Sequence, residues 1–407
     1  MAGSRRGRLL TMLVACATAA VLLAPQAAGQ TELLEPIPAP QHDPFYTPPD
    51  PVPDVAAGTV LRSRPVTVRA LAVPVQVDSW QMLYRSTDTQ GEPEAVSGTV
   101  LVPDTPWTGG PRPLVTYAVG SHGLGPECAP SYQMRQGQDP ELGLISLALS
   151  QGWAVVVTDY EGSGTPGPHT YAAGRTTGQA VLDAARAAQR LPQARLDPAG
   201  LVGVWGYSEG GIGAGWAGEL APTYAPQLRI AGIASGGTPA DLEPVVRHLD
   251  GGPFSGLALA GAVGLATAYP DLRFRSILTP EGEAAVERIS TQCVDEFTRD
   301  FAFRRLADLT TVDDPVALPQ WQRVLDANRL GTTPPAAPVL LYHAALDELI
   351  PVTVARQLAA DYCARDVTVR YLESPIDEHV SYAANAAPAA VTWLAERFAG
   401  QPASSTC

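Results

Sequence analysis

The sequence contains no lysine, since all 27 of its basic residues are arginine. This absence excludes chemistry that needs a lysine amine: Ser-Lys catalysis, Schiff-base formation and the phosphate-binding lysine of a P-loop. Positive charge is also scarce, because 41 acidic residues give the chain a net charge of −14. A surface this acidic repels phosphate groups, so we expect neither nucleic acid nor an anionic membrane as a partner.

Cysteine is scarce too, with five in 407 residues. Cys16 lies in an N-terminal leader described below, which leaves Cys128, Cys293, Cys363 and Cys407. None of these four forms a C-x-x-C pair, which argues against a metal site built from thiolates. An even number of cysteines in an exported chain predicts two disulfides instead, and the residues alone leave all three pairings open.

A secretory signal peptide is predicted over residues 1–29. Three arginines precede an apolar run over residues 9–23 and the small residues 27–29, which are the three regions such a peptide requires. The run is too short to span a bilayer comfortably, so we expect a secreted protein without an integral membrane span. Removal of the leader takes the net charge from −14 to −17, because three arginines leave with it. Lipoprotein anchoring at Cys16 is the weaker alternative, since the apolar run continues past it.

The rest of the chain divides into an arm, a core and an insertion. Residues 30–58 are rich in proline and predict an extended arm, because proline fits neither a helix interior nor a central strand. Antiparallel strands are predicted on either side of a turn at residues 88–91, with Pro74 on an edge strand. Beyond them, apolar runs alternate with helical stretches, which predicts an α/β core over residues 59–236 and 336–407.

Six continuous apolar runs predict a mostly parallel sheet buried on both faces by helices. Helices are predicted over residues 178–191 and 387–398. Residues 237–335 interrupt the alternation, and an interval of roughly a hundred residues predicts an inserted helical cap rather than an ordinary connection. The six runs are residues 114–119, 154–158, 201–205, 230–234, 339–343 and 367–371.

The motif with the clearest chemical meaning is Gly206-Tyr207-Ser208-Glu209-Gly210. It has the form G-x-S-x-G between an apolar run and a small-residue segment, which predicts a strand, a sharp turn and a helix. Glycines beside the serine tolerate a strained turn that raises the hydroxyl above the sheet edge. Ser208 is therefore predicted to be a nucleophile.

A serine hydroxyl needs an imidazole to accept its proton and a carboxylate to orient that imidazole. His379 follows the last predicted strand and Asp347 follows the strand at residues 339–343. Together with Ser208 they have the order Ser, Asp, His of an α/β-hydrolase. Glu348 and Asp377 are the neighbouring alternatives for the carboxylate.

The other five histidines are assigned less specific roles. His42 and His169 lie in proline- and glycine-rich loops, where we expect solvated side chains, and His248 lies in the insertion. His343 lies inside an apolar run, so a buried histidine with satisfied hydrogen bonds is expected. His122 belongs to a glycine-rich loop considered next.

Acyl transfer also needs N–H donors that stabilise the developing oxyanion. The backbone N–H of Glu209 is one candidate, because it follows the nucleophile at the start of a helix. The second is expected from residues 120–125, where glycines allow close approach of the backbone to a substrate, and Leu124 or His122 is the predicted donor.

Several motifs follow one known pattern in order along the chain. They are Asp43-Pro44-Phe45-Tyr46, Tyr84-Arg85-Ser86-Thr87-Asp88, Cys128-Ala129-Pro130-Ser131, Asp159-Tyr160-Glu161-Gly162 and Gly206-Tyr207-Ser208-Glu209-Gly210-Gly211. On these motifs the chain resembles the secretory lipase family, the lipase A-like branch of the α/β-hydrolases, over nearly all of the mature sequence.

The resemblance implies an α/β-hydrolase fold with a helical lid, a triad of Ser208, Asp347 and His379, and disulfides Cys128–Cys293 and Cys363–Cys407. It also implies hydrolysis of acylglycerols or other carboxylic esters without a metal or cofactor. Members of this family can place a side chain in the oxyanion loop, whereas residues 120–125 here offer mainly backbone.

The prediction is therefore a secreted serine carboxylic-ester hydrolase, namely a triacylglycerol lipase that forms an acyl-enzyme on Ser208 and contacts a lipid interface transiently. An esterase of shorter or polymeric esters is one alternative. An acyltransferase or peptidase with the same triad is another, because a fold and a nucleophile do not determine the acyl acceptor. A non-enzymatic binding protein that keeps the fold is a third.

Overall fold

The N-terminal arm is described from its seventh residue onward. The computed structural model describes residues 36–407, so the predicted signal peptide, Cys16 and residues 30–35 lie outside the described residues. Residues 36–58 contain a 3₁₀ turn at Pro40–His42 and neither an α-helix nor a strand. The arm packs on the core: Tyr46 is fully buried, and the buried Asp43 pairs with Arg64 and Arg135.

A nine-stranded sheet forms the centre of the described chain, in the order β1-β4-β5-β7-β6-β8-β9-β10-β11. Its first three strands are antiparallel, β5 pairs antiparallel with β7, and all the pairs from β7 to β11 are parallel. Strands β2 and β3 form a separate hairpin. The strands are β1 Val60–Pro65, β2 Arg69–Ala70, β3 Val73–Pro74, β4 Val77–Thr87, β5 Pro93–Pro103, β6 Leu114–Ala118, β7 Ala154–Thr158, β8 Leu201–Tyr207, β9 Arg229–Gly236, β10 Val339–Ala344 and β11 Val369–Ser374.

The mostly parallel sheet and its six apolar strands confirm the predicted fold class. Pro74 lies on an edge strand as predicted, in the two-stranded β2-β3 hairpin and not in the central sheet, whose strand β4 begins at Val77. One strand boundary differs from the prediction. Strand β11 begins at Val369, because the Val367 N–H donates to the Tyr362 carbonyl and closes the preceding helix.

Twelve α-helices of the described residues connect and cover these strands. They are α1 Pro130–Gln136, α2 Leu142–Ser150, α3 Gly174–Arg190, α4 Glu209–Tyr224, α5 Leu242–Leu249, α6 Ser255–Ala268, α7 Pro280–Ile289, α8 Val294–Asp300, α9 Leu306–Leu309, α10 Pro319–Ala327, α11 Val352–Cys363 and α12 His379–Phe398. Among residues 36–407, no helix combines the length and the apolar character needed to cross a bilayer.

Helix α12 begins eight residues before its predicted start. The Glu378 carboxylate accepts hydrogen bonds from the N–H groups of Val380 and Ser381, which satisfies the free donors at the helix start. Pro388 lies inside the helix, where its missing N–H removes one intrahelical bond without ending the helix. His379 therefore lies on the first turn of a rigid element and not in a loop.

Helices α5 to α10 form the segment that we call the helical insertion, residues 237–335. Its described residues contain no strand. Helix α6 crosses α8 closely, since a Cβ on Gly256 would lie 2.4 Å from the Phe297 carbonyl oxygen. The Cys128–Cys293 disulfide joins the insertion to the core, and Cys363–Cys407 joins α11 to the C-terminal residues. Both are the pairings that the family resemblance implies.

Candidate active site

Ser208 lies on a sharp turn between β8 and α4 with φ 60° and ψ −122°, a conformation that is strained for a residue with a side chain. Its glycine neighbours are required by space. A Cβ on Gly206 would lie 2.0 Å from the Gly210 carbonyl oxygen, and a Cβ on Gly210 would lie 1.9 Å from that of Ala118. The turn directs the Ser208 side chain into a cavity at the carboxyl edge of the sheet.

His379 lies opposite Ser208 in the same cavity. Its Nε2 atom accepts a hydrogen bond from the Ser208 hydroxyl at 3.0 Å, and its Nδ1–H donates to Asp347 Oδ2 at 2.7 Å. The backbone of His379 is also held in place, because the Tyr207 hydroxyl donates to the His379 carbonyl oxygen at 2.7 Å. The structure thus brings together the three residues that the sequence singled out.

Asp347 is buried and ionised by its surroundings. Its Oδ1 atom accepts from the N–H groups of Leu349 and Ile350 at 3.0 and 2.7 Å. Burial alone would raise the pKa of this carboxyl, but the hydrogen bond and charge of His379 hold it below its ordinary value. His343 is fully buried, as predicted, and its Nε2 atom lies 2.9 Å from the Ile350 carbonyl oxygen and 3.2 Å from Asp347 Oδ2. Its Nδ1 atom has no hydrogen-bond partner among the described residues, so the expectation of satisfied hydrogen bonds is met at one nitrogen only. No sequence pattern indicates the contact between His343 and Asp347.

The two alternative carboxylates have other partners. Glu348 accepts a hydrogen bond from the His379 backbone N–H at 3.0 Å and thereby positions the start of α12. Asp377 binds Ser374 and Asn385. Neither contacts the imidazole, so Asp347 is the carboxylate that the geometry supports.

The histidines with other expected roles have mixed outcomes. His42 and His248 are exposed. The Nε2 atom of His248 contacts the Glu348 carbonyl oxygen and no residue of the triad. The expectation that His169 is solvated is wrong. It is buried between Tyr160 and Tyr171 and faces Glu209, because the loop around it folds inward behind the nucleophile.

The predicted oxyanion loop, residues 120–125, is held by residues distant in sequence. The Gly120 N–H donates to Glu141 Oε1 at 2.7 Å, and the Leu124 N–H donates to the Gln292 carbonyl oxygen at 3.0 Å. The prediction of Leu124 as an oxyanion donor is therefore wrong, because its N–H is already used. His122 is buried beside Asp139 and is not among the residues that line the cavity.

The glycines of this loop serve a purpose that differs from the prediction. A Cβ on Gly123 would lie 2.5 Å from Cys293 Cα, and a Cβ on Gly125 would lie 2.5 Å from the Thr291 carbonyl oxygen. Their small size therefore admits the helical insertion and not a substrate.

Sequence reasoning missed Ser121, which lines the cavity together with Gly120 of the same loop. Among the hydrogen bonds of residues 36–407, none uses the backbone N–H of Ser121 or of Glu209 as a donor. The position of Ser121 three residues after β6, near the carboxyl edge of the sheet, was the sequence feature that could have indicated it. Glu141 also lines the cavity and was missed, since nothing in its sequence neighbourhood marks it.

The cavity has a volume of about 510 Å³ and an apolar wall supplied largely by the helical insertion. Ser208 and His379 lie in the part formed by the core. Helix α6 contributes Gly261, where an added Cβ would meet nothing within 4 Å. Large apolar residues of the wall include Leu249, Phe254, Leu257, Leu265, Phe274 and Trp321.

Three large apolar side chains are exposed near Asp347 and His379, on the loops that follow β10 and β11 and on the first turn of α12. We call Leu346, Ile376 and Val380 the apolar rim; they are 59, 82 and 68% exposed. Ala344 and Ser374 are paired at the ends of β10 and β11, so Leu346 and Ile376 each lie two residues beyond that pair. Val380 also lines the cavity, which makes the rim continuous with it.

Comparison with known proteins gives one consistent family. The family model for secretory lipases matches residues 136–406. A probable inactive lipase of Mycobacterium tuberculosis is 35% identical over 89% of this chain and 83% of its own length. A secreted triacylglycerol lipase of Malassezia globosa is 31% identical over 92% of this chain and 84% of its own. The closed-state crystal structure of Candida antarctica lipase A superposes with a TM-score of 0.83 at 28% identity, covering 91% of this chain and 89% of that one.

Proposed function

The chain belongs to the secretory lipase family and is a carboxylic-ester hydrolase, and we propose that Ser208, His379 and Asp347 are its catalytic residues. The observation that carries this assignment is the continuous hydrogen-bonded chain from the serine hydroxyl to the buried carboxylate, at 3.0 and 2.7 Å. A nucleophile, a base and an orienting acid within hydrogen-bond reach are what acyl transfer requires.

In the acylation step, the Ser208 oxygen attacks the ester carbonyl carbon while His379 Nε2 takes the hydroxyl proton. Asp347 keeps the Nδ1–H tautomer in place and stabilises the imidazolium that forms. The imidazolium then gives the proton to the leaving alcohol as the ester C–O bond breaks. In the second step, water loses a proton to His379, attacks the acyl-enzyme and releases the acid, which restores Ser208.

The negative charge on the carbonyl oxygen needs two donors, each contributing about 3 kcal/mol in comparable enzymes. We assign the Glu209 N–H as the first. The Ser121 N–H is the better candidate for the second, because Ser121 lines the cavity while Leu124 and His122 do not contribute to its wall.

The acyl chain of the substrate lies in the apolar cavity. Each buried methylene contributes about 0.8 kcal/mol, so a wall of large apolar side chains favours long acyl groups over short ones. The relatives named triacylglycerol lipases support the same substrate class. Triacylglycerol is therefore the proposed substrate, and short soluble or polymeric esters are the alternatives.

We also assign the apolar rim as the surface that contacts a lipid interface transiently. Exposed apolar groups beside a cavity mouth indicate an interaction site. The rim is flanked by the acidic residues Asp377 and Glu378, so a neutral lipid surface fits it better than an anionic one.

Relatives named secreted lipases support export of the chain, which the predicted leader at residues 1–29 would direct.

A protein that keeps the fold without activity is a second candidate, because one relative is named a probable inactive lipase. The intact geometry of Ser208, His379 and Asp347 favours activity in this chain.

The test is hydrolysis of p-nitrophenyl esters of increasing chain length by the purified protein, with Ser208→Ala and the control Ser146→Ala on helix α2. We expect activity that rises with chain length, is lost in Ser208→Ala and survives in Ser146→Ala. A serine-directed phosphonate should label only protein with an intact Ser208. No activity and no labelling in folded protein would favour the inactive alternative, and faster cleavage of a matching amide would favour a peptidase.

A further inference from the structure

His169 is buried directly behind the nucleophile. Its side chain is 4% exposed, and its Nε2 atom lies 3.5 Å from Oε1 of Glu209, whose side chain is 3% exposed. Glu209 follows Ser208 in the chain and lines the cavity. In residues 36–407 its Oε1 atom has no hydrogen-bond partner. A carboxylate so placed needs a compensating charge, because an unpaired buried charge is strongly unfavourable.

The position of one proton follows from the other side of the imidazole. His169 Nδ1 lies 2.7 Å from the Glu161 carbonyl oxygen. A carbonyl oxygen only accepts, so Nδ1 carries a hydrogen and donates it. In neutral histidine the Nε2 atom would then present a lone pair to the carboxylate, which places two acceptors face to face. A proton on Nε2 removes this conflict and pairs the two charges.

We propose that His169 and Glu209 form a buried imidazolium–carboxylate pair, and that this pair prevents the Glu209 charge from opposing the oxyanion that forms at the Glu209 N–H. The proposal rests on the proposed function, since it assigns His169 as a positioning residue of that site. Without the proton, the residue that supplies an oxyanion donor would also hold an uncompensated negative charge beside it.

Other titratable groups surround the pair. Burial alone would lower the pKa of His169, but the Glu209 carboxylate 3.5 Å away raises it above its ordinary value. The His169 proton is therefore held to a higher pH than on a free imidazole, and it is lost as the pH rises through this raised pKa. The other titratable groups that interact electrostatically with His169 are Glu161, Asp159 and His122, and those that interact with Glu209 are Glu141, Tyr160 and Tyr171.

The first measurement is the titration of His169 itself by NMR in ¹³C-histidine-labelled Ser208→Ala protein, with the signal assigned through its loss in His169→Phe. We expect His169 to be protonated at pH 7 and to lose its proton at lower pH once Glu209→Gln is added. Glu141→Gln is the matched control, and it should leave His169 protonated at pH 7. A His169 that is already neutral at pH 7 in the parent protein would overturn the proposal.

The second measurement is the pH dependence of kcat. His169→Phe keeps an aromatic ring between Tyr160 and Tyr171 but leaves Glu209 unpaired, so kcat at pH 7 should fall about tenfold with little change in KM. Adding Glu209→Gln should recover most of that loss, because no charge is left to compensate. A double variant as slow as His169→Phe would contradict the proposal.

The experiments distinguish a failure of the catalytic assignment of Ser208 from a failure of the pairing of His169 with Glu209. Activity that survives in Ser208→Ala would end the proposed function, whatever the state of His169. A normal loss of activity in Ser208→Ala, combined with a neutral His169 at pH 7, would end only the pairing of His169 with Glu209.

Discussion

The nucleophile turn and the oxyanion loop are neighbours at the carboxyl edge of the sheet, and they are held in different ways. Ser208 is fixed within the core, since Gly206 and Gly210 pack against each other across the turn and the Ser208 N–H donates to the Gly236 carbonyl oxygen. The oxyanion loop is fixed by Glu141 and by residues 291–294 of the helical insertion. The first arrangement is a property of the core, and the second requires the insertion to be in place. Substitutions in the core should therefore affect the catalytic step, whereas substitutions in the insertion should affect the oxyanion loop and the binding of substrate.

The largest expected effect belongs to the core. Asp347→Asn should lower kcat about 10⁴-fold, because the neutral amide no longer selects the Nδ1–H tautomer of His379. Asp377→Asn is the control, since Asp377 binds Ser374 and Asn385 instead of the imidazole, and it should keep wild-type kcat. Steady-state kinetics on one ester, with circular dichroism to verify folding, measures both. Equal losses in the two variants would contradict the assignment of the acid.

The two disulfides provide the next comparison. Replacing Cys128 and Cys293 by serine opens a loop of 165 residues, and replacing Cys363 and Cys407 opens one of 44. The chain-entropy relation gives losses of about 5 and about 4 kcal/mol in the free energy of unfolding. Only the first pair should also lower kcat at a temperature where the variant is folded, because it holds the oxyanion loop. Chemical denaturation and kinetics on the same samples test this difference.

Two glycines should respond in opposite directions. Gly210→Ala places a Cβ 1.9 Å from the Ala118 carbonyl oxygen and should destabilise the protein by about 1–3 kcal/mol or more. Gly261→Ala adds a Cβ that meets nothing within 4 Å inside α6, and should stabilise it by about 0.5–1 kcal/mol. Thermal unfolding of both variants measures the sign. A stabilising Gly210→Ala would show that the turn is looser than described.

The smallest effect is expected at the apolar rim. Changing Leu346 and Ile376 together to serine should lower the ratio of activity on emulsified tributyrin to activity on dissolved p-nitrophenyl butyrate by about threefold, because exposed apolar area that contacts the droplet is lost. Val55→Ser changes an exposed apolar residue of the arm, far from the cavity wall, and should leave the ratio unchanged. An equal change of this activity ratio in both variants would contradict the assignment of the rim as the lipid-contacting surface.

The same difference between local and distant support explains what the sequence could predict. Continuous apolar runs mark each parallel strand locally, and the strand ends place Ser208, Asp347 and His379 in the right order. The start of α12 was missed because Pro388 suggests a helix boundary, whereas the Glu378 cap determines the true one. Burial of His169 and the Leu124 hydrogen bond to Gln292 depend on residues far apart in sequence, which no local pattern contains.

The bond between Cys128 and Cys293 also has a consequence for the timing of maturation. Cys128 is synthesised 165 residues before Cys293, so the loop at residues 120–125 can bind Glu141 early but meets its partners in the insertion only after Cys293 has been made. A chain with reduced thiols therefore already contains Ser208 but lacks the covalent link that holds the loop against the insertion. Ester cleavage should reach its full rate only after Cys128 and Cys293 have been oxidised.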